Sequence, residues 1–332
     1  MSGSKDDSGA GPKPLSELIP KLSGLSSLKK PKGPRRSLEQ RLFDFAEADA
    51  GKDPSEILYQ HSVLCQTCLP YRDPGTNVRL WTRKNGYVRL EVQAGRAYDN
   101  RTEDFVDVGL PFGPKPRLVL YHLNAEALRK QSPEIELEDS LTAFVKRTLG
   151  LDSHGRNIRV VKEQLARLSA ADFRIGTSAE DRSITLKGSI VEGFELWTPR
   201  DDRQRILWPT KVQFSQRYFE SLMKHAVPLN ESAVMLLAHN AMALDVYTWL
   251  AQRLHRVDPE KGAVLVPWTG LKEHFGDGYK RIRDFRRVFV RTLQQVKVVY
   301  PQAKFALDDR GMELRCSRPP VGKRRLLDLK PE

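Results

Sequence analysis

Between residues 279 and 297, YKRIRDFRRVFVRTLQQVK, apolar positions recur three and four residues apart, the period of a helix with one buried face. At about 100° per residue, Ile282, Phe285, Phe289, Leu293 and Val296 fall on one stripe. Lys280, Arg283, Arg287, Arg291 and Gln294 fall on the opposite one. The same period predicts helices over 54–68, 117–130, 138–150, 155–170 and 243–257, and a short one in GLKEHF capped by Thr269. Gly150 and Gly276 are placed to close the helices they follow, and Pro133 to interrupt the chain after 130. Alternation of period two marks strands. VRLWTRKNGYVRLEV turns at Asn85-Gly86, a strong hairpin signal. EIEL and VLVP are short strands, and 173–197 reads as several. Residues 297–317 read as a hairpin turning at Asp308-Asp309-Arg310-Gly311.

The order helix, short strand, short helix, tight turn, second helix, hairpin therefore occurs twice. That is the order of a winged helix, a helix-turn-helix followed by a β-hairpin, and finding it twice is a stronger signal than either copy. The expected fold is α+β, mainly α, with two tandem winged-helix domains and a disordered basic N-terminal arm. The expected limits are 1–52 for the arm, with a short helix capped by Ser37 and ended by Gly51, 53–198 for the first domain, 199–320 for the second and 321–332 for a basic tail.

Charge sharpens this picture. The chain of 332 residues carries 55 Lys and Arg against 42 Asp and Glu, a net charge of +13, which favours a polyanionic partner. The arm over 1–36 has the polar, basic composition of a segment that cannot bury a core. No apolar run approaches the roughly 20 residues of a membrane span, and no signal-peptide core follows the N-terminal charges, so a cytoplasmic protein without a membrane role is expected.

The basic stripe suits a DNA major groove, where cations meet phosphates and Arg or Gln reads base edges. The plainer reading is a solvated cationic face. Candidate DNA-binding residues are Lys280, Arg281, Arg283, Arg286, Arg287, Arg291 and Gln294, with Arg315 and Arg318 after the hairpin and the tail cations Lys323, Arg324 and Arg325. The helix over 155–170 offers Arg156, Arg159 and Arg167 opposite Ile158, Val161, Leu165 and Leu168, with Lys162 as a further candidate. Glu163 interrupts that stripe, so the second domain is expected to carry most of the specificity.

GLPFGPKPRLVLYHLNAEALR (109–129), the run over 132–176, MALDVYTWLAQRLHRV (242–257) and the run over 268–303 resemble plasmid replication initiators of the RepA type, across roughly residues 55–320. The resemblance implies an initiator that binds directly repeated origin sites, called iterons. It implies help in opening an adjacent A·T-rich segment with the host initiator DnaA, and recruitment of the host helicase DnaB. It also implies a homodimer in equilibrium with a monomer. A tandem winged-helix transcriptional repressor would use the same DNA chemistry, and an unspecific nucleoid-binding protein is a third class.

Catalysis is not expected. No two of the seven histidines stand two apart, as a His-hydrophobic-His nicking site needs, and GLPFGPKPR lacks the Lys-Ser/Thr of a phosphate loop. His61, Cys65 and Cys68 could face one metal, but a structural zinc needs a fourth ligand and Cys316 is far in sequence, so buried thiols are expected and no cofactor. Trp197, Trp208, Trp249 and Trp268 stand among apolar neighbours and read as core rather than base-stacking platforms.

Overall fold

A computed structural model describes residues 57–99, 102–136, 143–149, 155–179, 182–194 and 211–321. The arm over 1–52 and the tail from 322 lie outside the described residues, as do Trp197, Trp208 and Gly150. The first strand, β1 (Ile57–His61), is followed by the one-turn helix α1 (Ser62–Gln66). A helix was expected here. Instead ILYQH is extended with four of its five residues buried, and the His61 imidazole caps the turn by accepting the Val63 N–H at 3.2 Å. The hairpin β2 (Leu80–Asn85) and β3 (Val88–Gln93) turns as predicted, with Gly86 at φ +55°. A ribbon unforeseen in the sequence, β4 (Arg96–Asp99) and β5 (Asp104–Asp107), precedes helix α2 (Pro114–Lys130).

After α2 come β6 (Glu134–Glu136), a π-helical turn (Phe144–Thr148), helix α3 (Gly155–Ala170), then β7 (Asp172–Ala179), β8 (Arg182–Ser189) and β9 (Val191–Phe194). The second half opens with β10 (Lys211–Phe214), α4 (Gln216–His225), β11 (Ala226–Asn230) and α5 (Glu231–Leu237). Then follow α6 (Ala241–Arg253), β12 (Val264–Pro267), α7 (Trp268–Phe275), α8 (Ile282–Val299), β13 (Lys304–Leu307) and β14 (Gly311–Arg315). The fold is mixed α/β. Fourteen strands in five small sheets among the described residues correct the expectation of a mainly helical chain.

The two halves share an order of elements but not a pairing of strands. In the second half β12 pairs with β14 and β14 with β13, so the strand before the helices closes the sheet of the hairpin after them. In the first half β6 pairs with β10 instead, and the β7–β8 hairpin is completed by β3 and β2. The equivalence read from element order is corrected on this point. Strand order along a sheet is set by long-range partners that local periodicity does not encode.

Nor do the halves stand apart. β1 pairs with β11 across the chain, and β10 joins the sheet of β6 and β9. One buried cluster runs through both halves, from Leu58 to Leu314. At its centre Arg117 of α2 meets Asp245 of α6 through two bonds of 2.7 Å, with both side chains buried. The same guanidinium donates to the carbonyls of Gly113 (2.6 Å), Leu69 (2.8 Å) and Pro70 (3.4 Å). Burial opposes its charge, but the Asp245 carboxylate outweighs that and raises the Arg117 pKa. The bidentate geometry keeps the pair ionised even though burial pulls the Asp245 carboxyl upward.

Candidate nucleic-acid interface

Helix α7 begins at Trp268, not at the expected Thr269 cap; Pro267 occupies the cap position and makes no side-chain bond. The Trp268 ring is buried, with its edge toward Phe285 and Phe289 at centroid distances of 6.5 and 6.2 Å. The helix ends at Gly276, as predicted, where the N–H donates to the Lys272 carbonyl at 2.8 Å. A Cβ at Gly276 would stand 2.6 Å from that carbonyl oxygen, so the close turn requires glycine. Gly278, at φ +77°, then holds the chain out of helical conformation until Arg281. Lys280 and Arg281 consequently lie in the turn ahead of α8, which for Lys280 corrects its expected place on the stripe.

Across α8 the buried face is Phe285, Phe289, Thr292, Leu293, Val296 and Val299, while Ile282 is 39% exposed instead of joining it. Arg283, Arg287 and Arg291 are exposed and Gln294 is half-buried. Spacing of four residues sets the three arginines about 6 Å apart along the helix, so the row spans about 12 Å. The acid in the first turn is Asp284, 4.0 Å from Arg287. Arg286 departs from the row. Its guanidinium lies 4.7 Å over the Trp268 ring and donates at 2.6 Å to the Asp309 carbonyl.

The hairpin beyond α8 is tied at its turn by Asp308, whose carboxylate accepts the N–H groups of Arg310 and Gly311, both at 2.9 Å. Slight burial works against ionisation there. These donors and the Arg310 guanidinium outweigh it and hold the carboxyl below its ordinary range. Arg310 also meets Glu313 at 3.4 Å, and Arg315 lies 3.7 Å from the other oxygen of Glu313. The hairpin cations are thus partly neutralised by their own strand. Arg318 is exposed, and its carbonyl accepts the Tyr300 hydroxyl at 2.7 Å. Lys323, Arg324 and Arg325 lie outside the described residues.

On α3 the apolar face is as predicted, with Val161, Leu165 and Leu168 buried and Ile158 packed against them. Arg156 and Arg159 are exposed and Lys162 is half-buried. Arg167 is a correction. It is 8% exposed, stacked 5.0 Å from the Phe112 ring and bonded to the Leu110 carbonyl (3.1 Å), Glu163 (2.6 Å) and Asp73 (3.5 Å). Helical phase sets Arg167 opposite the apolar stripe, but its long stem folds back over Phe112 and the Leu110 carbonyl rather than outward.

Sequence reasoning missed Arg83. From β2 it reaches Asp277 in the α7–α8 turn at 2.7 Å, so the first half braces the second half's turn. Nothing local in RLWTRKN signals a partner almost 200 residues away.

The groups weighed as metal ligands have other engagements. The His61 Nδ1 accepts from Val63, which leaves Nε2–H to donate to Ser221 Oγ at 2.9 Å. Cys68 lies 3.1 Å from the His274 carbonyl, and burial pushes its thiol up to about 11. Burial, with His225 nearby, lowers His61 to about 4, and burial lowers His122 to about 4 and His274 to about 3. Trp249 and Trp268 are buried, as core tryptophans should be. No helix among the described residues is long and apolar enough to cross a membrane.

Two crystal structures of domains 2 and 3 of RctB are similar in shape. One, a selenomethionine derivative, has TM-score 0.49 and 10% identity over 77% of this chain and 98% of that one. The other has TM-score 0.47 and 11% identity over 77% and 97%. Likeness at that distance carries nothing over to this chain. No curated protein matches the sequence at a significant level. A family model described as plasmid encoded RepA protein matches residues 110–269, from the loop before α2 to the start of α7, and so stops short of α8. The resemblance read from the sequence is thereby borne out, and across residues 110–269 this chain is similar to the plasmid encoded RepA protein family.

Proposed function

We propose that this chain is a plasmid replication initiator that binds directly repeated double-stranded sites at its origin. In this reading α6, α7, α8 and the sheet β12-β14-β13 act as a winged helix, with α8 in the major groove. The observation that carries it is the exposed row Arg283, Arg287 and Arg291, continued by the half-buried Gln294, on a helix fixed by its buried face. Guanidinium groups suit guanine edges and phosphates, and the Gln amide suits adenine. Lys280 and Arg281, exposed in the turn ahead of the helix, reach phosphate. Arg315 and Arg318 follow the same strand edge and add backbone contacts, weakened for Arg315 by Glu313.

On α3, Arg156 and Arg159 give the first half a secondary, less specific contact. Its strand pairing differs from that of the second half, which supports unequal roles. The chain makes and breaks no bonds of its own and needs no cofactor. Binding energy distorts the DNA, since bending a site of 20–30 bp costs on the order of 1–6 kcal/mol. Opening of an A·T-rich segment then draws in the host initiator DnaA and helicase DnaB, in the cytoplasm, with a dimer exchanging with the active monomer.

The test is a footprint of the purified full chain on DNA flanking its own gene. Protection of direct repeats beside an A·T-rich stretch is the expected result. An inverted repeat over a promoter, without origin activity, would make it a repressor. Equal affinity for random DNA at physiological salt would refute sequence-specific binding altogether.

A further inference from the structure

Three successive carbonyls of the β13–β14 turn are each taken by a donor from the helices. Trp268 Nε1–H donates to Asp308 O at 2.8 Å, Arg286 to Asp309 O at 2.6 Å, and the Trp268 backbone N–H to Arg310 O at 3.0 Å. The Arg286 guanidinium also lies over the ring of Trp268, the residue that supplies the other two donors, 4.7 Å from its centroid. Its Nε is buried, although the residue as a whole is half-buried. Its sequence neighbours point elsewhere: Phe285 is in the core and Arg287 is exposed.

We propose that Arg286 is a positioning residue that locks the hairpin turn to the α7–α8 pair, so that α8 and the hairpin meet DNA as one rigid body. This rests on the reading above that both elements face DNA. The chemistry is particular to arginine. A planar fork stacks on an aromatic face and donates edge-on at the same time, whereas an ammonium is a point charge with no flat face to offer. Arg286 therefore adds to specific affinity by fixing the distance between helix and hairpin, and it contributes no phosphate contact. Fixing that geometry before binding removes an ordering cost that a loose hairpin would incur on every specific encounter. Random-sequence binding, which tolerates many geometries, gains little from it.

The test compares Arg286→Lys and Arg286→Met with the wild-type full chain by two readouts. In free protein, amide hydrogen exchange at Trp268 should become about tenfold faster in both variants, with α6 amides unchanged. On DNA flanking the chain's own gene, both variants should lose about five- to tenfold in specific affinity and lose protection on the hairpin side. Random-sequence affinity and the slope of affinity against salt should stay as in wild type. Unchanged exchange at Trp268 in both variants overturns the proposal. So does a Lys variant that binds like wild type beside a Met variant weakened on all sequences with a salt slope lower by about one ion, the signature of a phosphate contact. Faster exchange in a protein whose wild type has no sequence preference upholds the lock while removing the DNA reading beneath it, so the two fail separately.

Discussion

Replacing Arg117 by Leu should be among the most damaging single changes in the chain. The substitution leaves Asp245 buried with both oxygens stripped of their 2.7 Å donors. It also strands the carbonyls of Gly113 and Leu69, which had charged donors at 2.6 and 2.8 Å. Breaking a buried ion pair from one side costs about 3–5 kcal/mol, because the remaining charge is neither paired nor hydrated. Against a typical total stability of about 5–15 kcal/mol this is a large share. Asp245→Leu should cost a similar amount by leaving the guanidinium unpaired. The double variant Arg117→Leu/Asp245→Leu should recover much of the loss, since two apolar side chains replace two charges without an orphan. Urea unfolding followed by far-ultraviolet dichroism and by tryptophan fluorescence provides the measurement. The pair joins α2 to α6, so both signals should fall together and shift together. A cost below about 1 kcal/mol for Arg117→Leu would refute the reasoning, as would a double variant as unstable as the two singles added.

Other outcomes follow from the same geometry. Alanine at Arg283, Arg287 or Arg291 should cost about 1–3 kcal/mol of specific affinity wherever the side chain reads a base, measured by titration on footprinted DNA; no loss at any of the three would move the interface off α8. A Cβ at Gly311 would run into the Val266 carbonyl oxygen and stand 2.7 Å from Pro267 Cα, so Gly311→Ala should destabilise by about 1–3 kcal/mol, seen as a lowered Tm. His61, His122 and His274 have folded pKa values lowered by burial to about 4, 4 and 3, so they stay neutral in the fold while the unfolded chain takes up protons below about 6.5. Their stabilisation is complete above that pH and is lost as pH falls toward 4, about 2 kcal/mol each by pH 5. A urea midpoint that stays flat between pH 7 and pH 5 would contradict this. Covalently closed DNA should remain unnicked by homogeneous protein with Mg²⁺ or Mn²⁺, and a covalent 5′-phosphotyrosine adduct would place the chain in another class.

Much of the second half was legible because its information is local. The period of 279–297, the glycine at 276 and the alternation around Asp308-Gly311 each specify their own element. What stayed hidden depends on partners distant in sequence. ILYQH becomes a strand because β11 supplies its hydrogen bonds, and β6 leaves the hairpin it precedes because β10 takes its edge. The candidate site shows the same division. Exposure of Arg283, Arg287 and Arg291 follows from helical phase alone. The withdrawal of Arg286 and Arg167 requires knowing that Asp309 and Phe112 lie beneath them. Partial neutralisation of the hairpin was nearer to hand, because Glu313 stands within three residues of both Arg310 and Arg315.

The pairing of β1 with β11 has a consequence for synthesis on the ribosome. Its partners stand roughly 170 residues apart, and β1 comes out of the exit tunnel first. At about 5–20 residues per second, β1 waits about 8–35 s for β11 to be made. During that interval ILYQH is an unpaired apolar strand on a nascent chain, open to capture by a chaperone or by another copy growing on the same message. A translation pause placed before residue 226 would lengthen the exposure and lower the soluble yield, whereas the same pause placed far enough beyond 230 for β11 to have left the tunnel would leave it unchanged.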